Sequence, residues 1–223
     1  MPPIVSLVGR PDHGKTTLLE KLIPELNRRA YRIGTIKHHV HEFDMDKPGK
    51  DTWRHKQAGA HSVVLSSPTG LGLIRDVSRD TPVEELVGRY FSDVDLVIAE
   101  GYKRLALPKI EVFRSTLTDE PLQNRDETWI GMVTDLKQEG DLPHFGLDDI
   151  SEIADFLITT LIKPEQEQQA TLIVNGEVIP LNSFVESSVT KAVTGMITSL
   201  KGCQDPKEIS LTIRRSNNQV DRL

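Results

Sequence analysis

The fold follows from one stretch near the start of the chain, Ile4-Val5-Ser6-Leu7-Val8-Gly9-Arg10-Pro11-Asp12-His13-Gly14-Lys15-Thr16-Thr17. From Gly9 onward it matches the pattern G-x-x-x-x-G-K-[ST], which forms a phosphate-binding loop where a strand precedes it and a helix follows. Residues 4–8 are apolar and β-branched, as in a buried parallel strand, and the apolar residues after Lys15 recur with a helical period. We therefore expect this loop to bind a nucleotide polyphosphate.

Each residue type in the loop has a physical role. Glycines let the backbone turn tightly enough for its N–H groups to point inward, and the helix N-terminus adds a partial positive charge. Lys15 adds a full charge, and Thr16 offers a hydroxyl to Mg²⁺. A carboxylate at Asp12 is unfavourable beside a polyphosphate unless it points outward. The predicted nucleotide-binding residues of the loop are Gly9, Arg10, Pro11, Asp12, His13, Gly14, Lys15, Thr16 and Thr17.

Another strand, flanked by carboxylates, is predicted at residues 95–99, and Glu100 follows it. A carboxylate at the carboxyl end of a parallel strand lies near the ligand crevice of an α/β sheet. We expect Glu100 to hold Mg²⁺ together with Thr16, through water, or to orient an attacking water. Lys15 and Glu100 are thus the candidate catalytic residues. The alternative is that Glu100 is only a turn residue before Gly101.

Alternating strand and helix patterns predict an α/β fold like that of phosphate-loop (P-loop) NTPases, with a mostly parallel sheet flanked by helices. The predicted strands are 4–8, 32–36, 95–99, 110–113 and 129–134, with a hairpin at 62–65 and 71–75. The predicted helices are 15–29, 51–60, one starting near Pro82, and 147–162, and Pro24 is expected to kink or shorten the first.

Residues 1–163 form the predicted nucleotide-binding domain, and the polar residues 164–170 form a linker. Residues 171–223 predict a small α+β extension of order ββαβ, with strands at 171–174, 177–179 and 209–213 and a helix at 183–200. Asn175-Gly176 between the first two runs is a strong hairpin signal. The pattern indicates no role for this extension.

Composition excludes several classes of protein. There are 27 Lys and Arg against 33 Asp and Glu, a net charge of −6, which argues against a protein that wraps duplex nucleic acid. The single cysteine, Cys203, excludes an intramolecular disulfide and fits a reducing compartment. No apolar run approaches the roughly 20 residues of a membrane span, and no targeting segment is evident. We expect a soluble cytoplasmic protein without nucleic-acid or membrane partners.

Residues 37–61 are rich in histidine and basic residues, and they follow a strand near the expected ligand crevice. One hypothesis is an anion site in which Lys37, Lys50 and Arg54 hold phosphate oxygens, with Asp46 and Asp51 as polar partners. A second is transition-metal binding by His38, His39 and His41, although their spacing is loose. A solvated loop or a dimer contact is the third.

Asp135 closes the late predicted strand and is the candidate for base recognition. A carboxylate accepts two hydrogen bonds from the N1–H and amino group of guanine, and adenine lacks donors in that arrangement. The alternative is that Asp135 serves as a helix cap or a turn residue.

Two further stretches identify a family. The stretch Gly34-Thr35-Ile36-Lys37-His38-His39 and the stretch Asp46-Lys47-Pro48-Gly49-Lys50-Asp51-Thr52-Trp53-Arg54-His55, taken with residues 95–103 and 108–112, closely resemble the molybdopterin-guanine dinucleotide biosynthesis protein B family, MobB. The resemblance runs from about residue 4 to 162. Departures are Asp12-His13, where small residues are commoner in the family, and the C-terminal extension.

The resemblance implies a homodimeric GTP-binding protein with Mg²⁺ and at most slow GTP hydrolysis. It would assist a MobA-like guanylyltransferase, which joins GMP to molybdopterin. The residues expected to contact the pterin, another anion or the partner protein are Lys37, His38, Lys50, Asp51 and Arg54. Two alternatives use the same phosphate loop: a small-molecule kinase and a metal-delivery GTPase.

Overall fold

The structure, a computed structural model, describes residues 1–39, 43–118, 120–136, 142–162 and 170–213. The chain divides into two compact units, Met1–Glu165 and Gln166–Leu223. The predicted linker at 164–170 lies outside the described residues, apart from Ala170. None of the helices in the described ranges has the length and apolar character that a membrane span requires.

Within the described ranges, the first unit contains eight strands and four helices. In chain order they are β1 (Ile4–Val8), α1 (Lys15–Arg28), β2 (Ile33–Lys37), α2 (Asp51–Gln57), β3 (Ser62–Ser67), β4 (Gly70–Arg75), α3 (Val83–Tyr90), β5 (Leu96–Glu100), β6 (Lys109–Phe113), β7 (Trp129–Thr134), β8 (His144–Phe145) and α4 (Ile150–Leu161). Six strands form one sheet in the order β2-β5-β1-β6-β7-β8, and every pair in it is parallel. The predicted α/β fold with a mostly parallel sheet is confirmed.

Two apolar cores lie on the two faces of this sheet. On one face α1 and α4 pack against the strands, and Leu22, Leu26 and Ile153 are buried with the strand residues there. The other core includes Val83 and Val87 of α3. Burial on both faces explains why the strands read as continuous apolar runs. The loops at the carboxyl edge therefore extend from a sheet that is packed on both faces.

Local differences from the expected boundaries are small. Helix α1 runs through Pro24 to Arg28, so the proline does not end it. Asp51 is the first residue of α2 rather than its cap, since Lys50 holds the cap position. Likewise Pro82 is the cap of α3 and Val83 its first residue. Such shifts of one or two residues are usual at helix ends.

The predicted hairpin of β3 and β4 forms a separate two-stranded antiparallel sheet. Val63 is buried, but Val64, Leu65 and Leu71 are 54%, 63% and 74% exposed. Val64 pairs with Leu73 and Ser66 pairs with Leu71. Paired residues share a face, and so do residues two apart on a strand, so Val64 and Leu71 lie on one side of the hairpin. This unit thus presents apolar side chains on its surface.

The second unit contains β9 (Leu172–Val174), β10 (Glu177–Ile179) and α5 (Ser183–Thr198). Positive φ angles of 53° at Asn175 and 86° at Gly176 fit the tight hairpin turn that the sequence predicts. Asn182 caps α5 by accepting the Val185 N–H at 2.9 Å.

The predicted last strand of this unit, at residues 209–213, is wrong. The described residues after α5, up to residue 213, form no strand. Leu211 and Ile213 in this segment are 62% and 79% exposed. A strand needs a paired edge and a buried face, and an alternating pattern alone supplies neither. The described order is therefore ββα.

Candidate functional site

The phosphate loop opens at the point where the strand order reverses. Strand β1 lies between β5 and β6, and β2 is reached on the far side of β5. Glu100 at the end of β5 pairs in register with Leu7 of β1 and with Lys37 of β2. Ligands bind at such a switch point, outside the carboxyl ends of the strands. The fold therefore brings Lys37, Glu100 and the loop to one edge of the sheet.

Close packing makes glycine necessary at the start of the loop. Gly9 has φ 151°, and a Cβ there would lie 2.5 Å from the carbonyl oxygen of Val112 on β6. Such a contact with backbone leaves no room for a side chain. Gly14 has φ 92° and is the N-cap of α1. Asp12 has φ 63° and is exposed. An exposed carboxylate can point outward, away from a bound polyphosphate.

Lys15 lies over the loop that precedes it. Its Nζ donates to the carbonyl oxygen of Arg10 at 2.8 Å and to that of Gly9 at 3.3 Å. Burial lowers the pKa of Lys15, and the negative charge of Glu100 opposes this shift, while Lys103 and Lys37 add to it. A bound phosphate would give this half-buried ammonium a charged partner, which is stronger than a carbonyl.

Glu100 is well placed at the sheet edge. Its side chain is 16% exposed, and Lys37 Nζ lies 3.7 Å from Oε1. The turn after it is fixed because the buried Ser6 hydroxyl donates to the Gly101 carbonyl oxygen at 2.5 Å. Thr16 lies exposed on the first turn of α1. A hydroxyl and a carboxylate are oxygen donors of the type that Mg²⁺ prefers, so the donor set fits that ion.

The side chain of His13 supports the loop from beneath. It is 2% exposed, and its Nδ1 accepts the main-chain N–H of Arg114 at 3.1 Å. Its ring packs against Phe113 with a centroid distance of 5.8 Å. Burial lowers the pKa of His13, and the nearby charges of Lys15 and Arg10 lower it further. A neutral imidazole is what an Nδ1 acceptor requires.

Asp135 follows β7 and anchors the segment after β6. Its Oδ1 accepts the main-chain N–H of Ser115 at 2.8 Å, and this hydrogen bond lowers the pKa of Asp135. The carboxylate thus has a structural partner at the edge of the sheet. Its part in base recognition stays a prediction.

The residues of the predicted anion site lie in two groups. Lys37 and His38 lie at the end of β2, where His38 Nε2 is 2.9 Å from Asp80 Oδ2 and the ring packs on Tyr102 at 4.7 Å. Lys50, Asp51 and Arg54 lie at the start of α2 and are exposed. Within the described ranges, no hydrogen bond or ion pair joins the two groups.

The second group is held together weakly. Arg54 Nη1 is 3.9 Å from Asp51 Oδ1, with both side chains mostly in solvent. Asp46, expected as a polar partner, instead accepts the Thr52 hydroxyl at 3.1 Å and the Lys47 N–H at 2.8 Å. Its other oxygen is buried and has no hydrogen-bond partner. Lys50, Asp51 and Arg54 are therefore the residues of this group that are free in solvent to contact a ligand.

The metal hypothesis for the histidines rests partly on His41, which lies outside the described residues. Among those that are described, no group of three or more His, Cys, Asp or Glu side chains could hold a metal ion. His38 has Asp80 and Tyr102 as neighbours instead. Metal binding by this segment stays a prediction.

One part of the site was missed by sequence reasoning. A cavity of about 250 Å³ adjoins Gly14 and the first turns of α1. Its lining includes Gly14, Thr17, Lys21, Arg114, Leu147 and Asp148. Lys21 Nζ lies 2.6 Å from Asp148 Oδ1. No local pattern marks Arg114 or Asp148, because Arg114 reaches the loop through the pairing of β6 with β1 and Asp148 through the packing of α4 on α1.

Known proteins resemble this chain over most of its length. Residues 4–135 match the family described as molybdopterin guanine dinucleotide synthesis protein B, MobB. A molybdopterin-guanine dinucleotide biosynthesis adapter protein of Haemophilus influenzae is 36% identical over 156 residues, which cover 70% of this chain and 87% of that protein. The adapter protein of the same name in Escherichia coli is 33% identical over 171 residues, 73% of this chain and 95% of that protein. A crystal structure of molybdopterin-guanine biosynthesis protein B superposes with a TM-score of 0.57 at 32% identity, covering 71% of this chain and 99% of that one.

Proposed function

The chain belongs to the molybdopterin guanine dinucleotide synthesis protein B family, and we propose that it is a GTP-binding adapter in molybdenum cofactor biosynthesis. In this role it assists a guanylyltransferase that attaches GMP to molybdopterin. The observation that carries the proposal is the phosphate loop between β1 and α1, with Lys15 over it and Glu100 beside it.

The loop supports binding of the phosphates. Gly14, in the left-handed conformation, is the N-cap of α1, so the first N–H groups of the helix face the loop. These groups and the Lys15 ammonium provide donors and positive charge for the β- and γ-phosphates. Binding replaces the carbonyl partners of Lys15 with charged ones.

Thr16 and Glu100 would hold Mg²⁺ at this site. The ion supplies charge neutralisation of the β- and γ-phosphate oxygens when it is bound. Glu100 is also proposed to orient a water for attack on the γ-phosphate. At most, these groups support slow GTP hydrolysis.

The basic segment provides the surface for an anionic partner. The side chain of Lys37 is 65% exposed and that of Arg54 is 71% exposed, so both can contact the pterin phosphate or the guanylyltransferase. His38, Lys50 and Asp51 are the other members of this proposed surface. Asp135 remains the proposed reader of the guanine base.

The working form is proposed to be a homodimer in the cytoplasm. The exposed apolar side chains of the β3–β4 hairpin support self-association, because a contiguous exposed apolar patch is typical of an association surface. A single cysteine is compatible with a reducing compartment.

Isothermal titration calorimetry with GTP and with ATP tests the proposed function. We expect tighter binding of GTP, and we expect Lys15→Ala to weaken it by roughly 100-fold or more, because a charge-assisted contact to phosphate is lost. Lys191→Ala on the exposed surface of α5 is the matched control and should bind GTP as the wild type does.

Equal affinity for GTP and ATP, or unchanged binding in Lys15→Ala, would sink this assignment. The two alternative functions give different results in companion assays. A small-molecule kinase transfers phosphate from ATP or GTP to an added acceptor. A metal-delivery GTPase retains a stoichiometric metal in equilibrium dialysis and loses it in a variant with His38→Ala and His41→Ala.

A further inference from the structure

Arg114 follows strand β6, and its backbone is held from two sides. Its own N–H donates to Nδ1 of the buried His13 at 3.1 Å, and the next N–H, that of Ser115, donates to Asp135 at 2.8 Å. The first contact ties the residue to the phosphate loop and the second to the end of β7. These two contacts fix the main chain at Arg114 and thus the position from which its side chain extends.

The guanidinium group of Arg114 packs directly against Gly14. A Cβ on Gly14 would lie 3.0 Å from Nη2, 3.3 Å from Nε and 3.4 Å from Cζ. Glycine at this position thus serves the approach of the arginine as well as the left-handed backbone. The cation is held beside the N-terminus of α1, where an anion would bind.

One donor of this arginine lacks a partner, since its Nε is buried and has no hydrogen bond. The carboxylate of Asp148 lines the same cavity, and its pKa is lowered by a hydrogen bond from Lys21 and by the charges of Lys21 and Arg114. A buried donor without an acceptor is costly, and in native proteins it calls for an explanation. An anionic ligand in the adjoining cavity would offer acceptors to the guanidinium of Arg114.

The topology indicates which end of a nucleotide lies near Arg114. Strands β5 and β6 flank β1 on opposite sides, so Glu100 lies on one side of the loop and Arg114 on the other. Lys15 and the Mg²⁺ ligands serve the β- and γ-phosphates on the Glu100 side. The α-phosphate and the nucleoside then lie on the Arg114 side, where the cavity of about 250 Å³ is found.

Cations outnumber anions here. Besides burial, the charges of Lys15, Arg10 and Arg114 lower the pKa of His13, and the carboxylate of Glu111 opposes them. Repulsion among the three cations is relieved when a polyphosphate binds among them. Arg114 is suited to this task because its planar fork can donate two parallel hydrogen bonds to one phosphate group.

We propose that Arg114 is a nucleotide-binding residue whose guanidinium holds the α-phosphate, at the end of the phosphate chain next to the nucleoside. This proposal rests on the proposed function, since it assigns a further contact to the same nucleotide. It differs from the contacts of Lys15 and Glu100 in being independent of the γ-phosphate.

Calorimetric titration of Arg114→Ala and Arg114→Gln with GTP and with GDP tests the proposal. Both variants should lose affinity for the two nucleotides to a similar extent, by roughly 10- to 100-fold. The main-chain hydrogen bond to His13 survives either substitution, and glutamine keeps a planar side chain, so the loop should remain folded by thermal unfolding. Arg28→Ala at the far end of α1, with a side chain 70% exposed, is the control and should bind as the wild type does.

Wild-type affinity for GDP in Arg114→Gln overturns the proposal. So does a loss confined to GTP, which would place the arginine at the γ-phosphate. Failure of the proposed function looks different, because the wild type would then prefer ATP or bind no nucleotide. If the wild type prefers ATP, the Arg114 variants are compared with the wild type using ATP and ADP, because the α-phosphate of ADP is the same as that of GDP. If the wild type binds no nucleotide, the Arg114 proposal falls as well.

Discussion

His13 shows how one residue couples the loop to the sheet. The sequence places it inside the phosphate loop, where a direct contact with nucleotide is the natural expectation. The structure buries its side chain and gives it the N–H of Arg114 as partner, over a separation of 101 positions in the chain. Any contact of His13 with a nucleotide is thus left to its backbone, and its imidazole holds the loop against the end of β6.

The lowered pKa of His13 predicts a pH dependence. The unfolded chain takes up a proton on this residue as pH falls through about 6.5, whereas the folded chain resists protonation to lower pH. Stability contributed by neutral His13 is therefore present above pH 6.5 and decreases below it. Chemical denaturation between about pH 7.5 and 5.5 should show this decrease in the wild type.

Two substitutions at position 13 distinguish the contribution of the hydrogen bond to Arg114 from the effect of imidazole protonation on stability. Asparagine can place Oδ1 near the position of Nδ1, so His13→Asn should keep the bond to Arg114 and show a smaller decrease over this pH range. His13→Ala should cost about 1–3 kcal/mol at pH 7.5, because a buried N–H loses its acceptor. His61→Asn, at a side chain that is 74% exposed, is the control. A pH dependence that persists unchanged in both position-13 variants contradicts this explanation.

Helices α1 and α4 are joined at their edge by a network of charged groups. Glu25 accepts hydrogen bonds from Arg28 at 2.7 Å and Arg29 at 2.7 Å. Arg29 also contacts Asp155 at 2.5 Å and the Ser151 hydroxyl at 2.8 Å on α4. The Glu25 and Arg29 side chains are only 17% and 16% exposed, which favours a defined geometry over a loose surface pair.

Hydrogen bonds from Arg28 and Arg29 lower the pKa of Glu25 to about 2 from its ordinary 4.5. A carboxyl with a lowered pKa contributes stability that is present above about pH 4.5 and is lost as pH falls toward 2. The urea midpoint of the wild type should therefore fall over this range, and Glu25→Gln should fall less. Glu20→Gln, at an exposed position of the same helix, should follow the wild type. Parallel acid profiles of wild type and Glu25→Gln would show that the network adds nothing.

The β3–β4 hairpin bears on the assembly of the whole molecule. Val64 and Leu71 share a face and are 54% and 74% exposed. Contiguous exposed apolar groups on a two-stranded sheet are typical of an association surface. In a homodimer with two-fold symmetry, this face would meet its own copy.

Replacement of Val64 and Leu71 by threonine tests the proposed dimer. Threonine keeps a high strand propensity, so the hairpin should persist while its apolar face becomes polar. Sedimentation velocity should show a dimer for the wild type and a monomer for the double variant. Val77→Thr, 64% exposed outside the hairpin, should remain dimeric. A monomeric wild type, or a dimeric double variant, rules out this interface.

Much of the first unit could be predicted from the sequence by itself. The strand, the phosphate loop and the helix after it are contiguous, so their local spacing is sufficient to define them. Glu100 was predictable in the same way, because it directly ends an apolar strand. The tail shows the limit of such patterns: residues 209–213 alternate like a strand but have neither a paired edge nor a buried face in the described structure.

Only the tertiary structure decided the contacts between distant parts of the chain. Arg114 lies against Gly14 because β6 pairs with β1, and His38 meets Asp80 because the segment before α3 returns to the end of β2. No periodicity encodes these contacts, since each depends on which strands become neighbours in the sheet. The sequence by itself thus determined the phosphate loop and its family, whereas the order of the parallel strands determined which charged side chains surround that loop.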